Sequence, residues 1–90
     1  MGVNVRIPPA LQYLTDGQAQ VNITASTVGD CIANLDRQYP GMQDRLLDAK
    51  GVRRFVNIYV NDEDVRFLND LATRVQEGDE ISIVPAISGS

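Results

Sequence analysis

Three stretches of this chain hold residues whose type and spacing suit chemistry. They are the carboxylate run Asp62, Glu63 and Asp64, the lone thiol Cys31, and the small-residue end AISGS at 86–90. A carboxylate trio can hold a hard cation such as Mg²⁺ or act as acid and base, but both uses need a preformed pocket. Lying between two apolar segments, the trio reads more simply as a solvated turn. Cys31 falls on a stripe of apolar residues at helical spacing, where a free cysteine behaves as a small hydrophobe and not as a nucleophile. With no histidine and one cysteine, His/Cys metal centres and histidine-dependent triads are excluded within this chain. No metal site, no bound cofactor and no catalytic residue of its own is expected, so the chain does not read as an enzyme. Glycine near the end lets a backbone pass through a narrow channel and approach a reacting atom closely. On composition alone the tail reads either as a frayed terminus, the commoner fate of such residues, or as a threading arm.

The elements that must position these residues follow from hydrophobic period and turn chemistry. VNVRI (3–7) alternates apolar and polar residues, then Pro8 and Pro9 end its pairing. QVNIT resumes the alternation after the Asp16-Gly17 turn pair, so the two form a hairpin with a long loop. Thr27 caps a helix, with Asp30 placed to reach back, and Val28, Cys31, Ile32, Leu35 and Tyr39 form one apolar face. Pro40 and Gly41 stop that helix, and MQDRLLD adds a short helical turn. RRFVNIYV (53–60) is the strongest strand; NDED reads as a turn, VRF as a short strand, and EISIVPA as the last strand. Residues 1–85 thus make one domain and 86–90 its flexible tail. One helix covers one face of a sheet of four to five strands, an α+β arrangement that leaves the other face open.

That open face is the second candidate site. Val56, Ile58 and Val60 form the inward set, so Arg53, Phe55, Asn57 and Tyr59 point outward, as do Val84 on the last strand and Arg6 on the first, close together if these strands are neighbours. An apolar patch of Phe55, Tyr59 and Val84 rimmed by Arg6 and Arg53 reads as a protein-docking surface, or as ordinary scattered surface hydrophobics. The net charge of −4 argues against a nucleic-acid partner and predicts partners with a basic docking surface. The absence of a long apolar run argues against membrane insertion, and the single cysteine suits a reducing cytoplasm.

The segment EGDEISIVPAISG (77–89), together with FVNIYVNDEDVRF (55–67), resembles the ThiS/MoaD family of sulfur carrier proteins, over essentially the whole chain. The second segment is similar to the subgroup that supplies sulfur for cysteine synthesis in mycobacteria. The resemblance implies a ubiquitin-like β-grasp fold and the role of protein co-substrate. In that family an E1-like enzyme uses ATP to adenylate the C-terminal carboxylate, and a sulfur donor converts the acyl-adenylate to a thiocarboxylate. In the cysteine subgroup the sulfur passes to an activated serine on a pyridoxal-phosphate enzyme, and a metalloprotease releases the product. Carried over, the family's terminal Gly-Gly falls on Gly89, which matches, and Ser90, which departs from it, with Ala86, Ile87 and Ser88 as the threading arm. Three explanations of Ser90 stand open: a change that blocks activation, removal to expose Gly89, or tolerance of serine. A ubiquitin-like modifier, or a carrier serving molybdopterin or thiamin synthesis, would share the fold.

Overall fold

Five strands form the central sheet of the computed structural model, which describes residues 2–85. The strands are β1 (Val3–Arg6), β2 (Gln20–Ile23), β5 (Val56–Val60), β6 (Glu63–Asp64) and β7 (Glu80–Pro85), in the order β2-β1-β7-β5-β6. A separate two-stranded hairpin, β3 (Leu47–Asp48) with β4 (Gly51–Val52), was not foreseen from the sequence. β7 lies at the centre, parallel to β1 and antiparallel to β5, so the sheet is mixed. This is the α+β layering that the apolar periods imply, with the sheet at five strands.

The alternating residues bury one face. Val3, Val5, Val21, Ile23, Val56, Ile58, Val60, Ile81 and Ile83 are all buried against α1 (Val28–Gln38) and its extension α2 (Met42–Leu46). From α1 come Val28, Cys31, Ile32 and Leu35, and from α2 Met42 and Leu46. At the start of α1 the Asp30 N–H donates to Thr27 Oγ1 (3.0 Å), the cap its sequence promises. The return bond comes from one residue earlier than in a standard capping box: the Ser26 N–H donates to Asp30 Oδ2 (3.1 Å). Asp36 then joins the helices, its Oδ1 accepting from the Gly41 and Gln43 N–H groups, both at 3.0 Å.

Three local features differ from the sequence expectation. The loop after β1 is a 3₁₀ helix over Pro9–Thr15, with proline in its first turn where no N–H is needed. The strand expected at VRF lies two residues earlier, at Glu63–Asp64, and Val65–Phe67 is a 3₁₀ turn. The cause is the Asn61-Asp62 pair, whose φ values of 48° and 75° close a tight hairpin that residues without a local polar side chain resist. Asn61 also ties this hairpin to the start of β7. Its Oδ1 accepts from the Glu80 N–H (3.0 Å), and its Nδ2 donates to Asp79 Oδ1 (3.1 Å). The two turn signals NDED and EGD are therefore one joint.

Candidate functional site

The threading arm and terminal pair, Ala86, Ile87, Ser88, Gly89 and Ser90, lie outside the described residues. What the structure does show is the place from which they depart. β7 ends at Pro85, whose partner across the ladder is Val56. The tail therefore leaves from the central strand, between the end of β1 and the start of β5.

On the open face one row crosses all five strands: Gln20, Arg6, Ser82, Tyr59 and Asp64 are successive register partners. Val84 stands one step nearer the exit, opposite Asn57, and is 42% exposed. Arg6, Tyr59 and Val84 thus share the sheet face as their alternation predicts. Arg6 is loosely paired with Glu80 at 3.8 Å, an exposed contact that leaves it available to a partner.

Phe55 and Arg53 are placed differently from the expectation. β5 begins only at Val56, so the outward alternation does not extend back to either residue. Arg53 reaches away and donates through Nε to the Asp44 carbonyl of α2 (2.9 Å). Phe55 is 64% exposed on the connection before β5, with the Arg54 guanidinium 5.9 Å from its ring centroid. These two residues form a rim beside the exit rather than part of the sheet face. On the other side of β7, Arg6, Pro8, Pro9, Ala10, Val84 and Pro85 line a groove of about 630 Å³.

Arg66 organises this region, and sequence reasoning missed it. Its guanidinium donates to Asn57 Oδ1 (2.9 Å), to the Arg53 carbonyl (2.8 Å) and to the Val56 carbonyl (2.6 Å). β6 pairs with β5 only at Tyr59 and Val60, which leaves the beginning of β5 at an edge. The Arg66 side chain takes the place of the absent strand there. Asp64 supports it by accepting from the Arg66 N–H (2.8 Å) and standing 3.8 Å from Nη1. The only available signal was an arginine following a tight hairpin, and the misplaced strand hid it.

Two of the other candidate groups, Asp64 and Cys31, have structural work. Asp64 is occupied as just described. Among the described residues no three Asp, Glu or Cys side chains come together as a metal site. Cys31 is buried in the core, and that burial, reinforced by Asp30, pushes its thiol up to about 12. A thiol so held is not a nucleophile near neutral pH.

The ThiS family model matches residues 5–89. The chain belongs to the ThiS family. The sulfur carrier protein CysO of Mycobacterium tuberculosis is 46% identical over 92 residues, spanning 99% of each chain. Among solved structures, a chain in the BexX/CysO complex of Amycolatopsis orientalis superposes with a TM-score of 0.95. It is 38% identical, covering 99% of this chain and all of its own length. A crystal structure of CysO from M. tuberculosis gives a TM-score of 0.91 at 45% identity, covering 96% of this chain and 100% of that one. The β-grasp fold expected from the terminal segments is the fold of these relatives.

Proposed function

We propose that this ThiS-family protein is a sulfur carrier serving cysteine biosynthesis. Its C-terminal carboxylate, on the segment that includes Gly89 and Ser90, would be adenylated with ATP by an E1-like enzyme and converted to a thiocarboxylate. The observation that carries this reading is the full-length similarity to CysO, a protein named as a sulfur carrier, at 46% identity. The geometry is in keeping with it: the chain leaves the domain from a central strand, flanked by an open sheet face and a rim. A carrier used as a co-substrate needs a stable body, a docking surface and an end that reaches into its partner, and those are the features present. Arg6, Tyr59 and Val84 would meet the partner on the sheet, with Phe55 and Arg53 beside the exit. The sulfur acceptor would be an activated serine on a pyridoxal-phosphate enzyme, and a metalloprotease would release the cysteine. Both steps belong to the cytoplasm.

The test is intact-mass analysis after incubation with the host's E1-like enzyme, ATP and a sulfur donor. Replacement of one oxygen by sulfur, mapped to the C-terminal peptide, is the expected result. Conjugates linked through lysine amides, with no sulfur-containing species, would instead make the protein a ubiquitin-like modifier. Activity with a molybdopterin or thiamin acceptor in place of the serine-bearing one would reassign the pathway.

A further inference from the structure

The negative net charge is unevenly placed. Five of the twelve carboxylates, Asp62, Glu63, Glu77, Asp79 and Glu80, fall on the turn and strand that follow β5 and at the start of β7, beside the ends of these strands farthest from the tail exit. At the exit end, four of the eight basic residues, Lys50, Arg53, Arg54 and Arg66, line one hollow of about 700 Å³. Phe55 and Val56 complete part of its wall, and Val56 is the ladder partner of Pro85, so the hollow borders the point where the tail departs.

Arg66 spends its Nη1 and Nη2 donors on the protein. Lys50 and Arg54 have no acidic partner within 4.0 Å among the described residues, and Arg53 gives only Nε to a carbonyl. The one carboxylate in the wall, Asp48, turns its Oδ1 onto the Lys50 N–H (2.8 Å). Two further backbone donors of the wall are taken: the Arg53 N–H by the Leu46 carbonyl and the Val56 N–H by the Arg53 carbonyl. Three cations spread around an open hollow beside an exposed aromatic ring suit carboxylates spaced along a polypeptide.

We propose that this hollow docks an acidic segment of the activating enzyme, seated on Lys50, Arg53 and Arg54, as the tail enters that enzyme. The inference rests on the proposed function for the identity of the partner, and it reverses the expectation that net charge alone gives, a basic docking surface. The acidic end of the domain then faces away from the partner and orients the approach, since opposed charge on the two ends favours one encounter geometry.

Two measurements test it. First, a hexaglutamate peptide is titrated into the isotopically labelled protein. Amide shifts confined to residues 48–56 and lost in the Lys50→Glu/Arg54→Glu variant are expected; both residues are exposed, and an unchanged melting temperature verifies the fold. Second, the same variant should raise the KM of the activating enzyme for the carrier at least tenfold in low salt. That factor should shrink in high salt, where exposed charges are screened. The milder Lys50→Gln/Arg54→Gln variant should fall in between. Peptide shifts elsewhere or absent, or equal KM for variant and wild type, would overturn the inference. So would inorganic phosphate producing the same shifts at lower concentration than the peptide. A wild-type protein that binds the peptide but is never adenylated sinks the proposed function instead, and with it the partner's identity.

Discussion

Replacing Arg66 with methionine removes three hydrogen bonds while keeping most of the side chain's length. Hydrogen bonds to a charged donor contribute about 1.5–3 kcal/mol each, but not all of that is lost here. The Arg53 carbonyl and Asn57 lie toward solvent and can recruit water, and the guanidinium side chain itself is 33% exposed. The Val56 carbonyl belongs to a residue only 8% exposed, so its lost partner is the least replaceable. A net loss of about 2 kcal/mol is expected, on the scale of one buried acceptor left unsatisfied. For a domain of this size that lowers Tm by about 8–16 °C. Arg66→Lys retains the charge but not the fork, so it should recover less than half of the loss. Urea denaturation followed by circular dichroism measures both variants, and hydrogen exchange at the start of β5 should speed up in each. A change below about 0.5 kcal/mol for the methionine variant, within the range of ordinary surface substitutions, would refute the claim that this side chain stands in for a strand. Full rescue by lysine would refute the geometric part of it.

Leu35→Ala, at a fully buried position, should cost about 2–5 kcal/mol in urea denaturation; a loss under 1 kcal/mol would mean the helix–sheet core is misassigned. Thr27→Ala should cost about 1 kcal/mol, and Thr27→Asp should restore it, since the carboxylate also accepts from the Asp30 N–H. Because the Cys31 thiol is raised from 9.0 to about 12, the folded state holds its proton where the unfolded state has lost it. The associated stability is complete below pH 9 and is lost as pH rises toward 12, so Cys31→Ala should flatten the alkaline limb of a stability–pH curve. Val84→Asp should change Tm by less than about 2 °C, as its side chain is exposed, yet weaken association with the activating enzyme by about tenfold in calorimetric titration.

Much of this fold could be read from the sequence because the dominant signals are periodic. The apolar sets of VNVRI, QVNIT, VNIYV and EISIV are the residues the sheet buries, and the stripe from Val28 to Leu35 is the face that covers them. Misreadings arose where a side chain, not a period, decides the backbone. Asn61 and Asp62 accept left-handed φ values, which shortens the turn and brings the next strand to Glu63–Asp64. The hairpin at residues 47–52 rests on two register pairs and Gly51 at φ 120°, too little pattern to detect. At the candidate site, Arg6, Tyr59 and Val84 were legible because they alternate, whereas Arg53 and Phe55 were misplaced because alternation was carried past the strand's start. Charge was the least legible property. A sum over the chain is blind to the separation between the carboxylates of 62–63 and 77–80 and the cations around the exit.

The central position of β7 also bears on when the protein becomes competent during its own synthesis. Translation delivers β1, β2, α1 and β5 first, yet β1 and β5 are not neighbours and cannot close a sheet between themselves. Both wait for β7, the last of the described strands. A polypeptide interrupted before or within 80–85 lacks the piece that holds the two halves together. One that has extended past Pro85 already contains everything its body requires. The described body thus becomes stable only once β7 is in place, and chains cut short before it present no complete sheet for a partner to dock on.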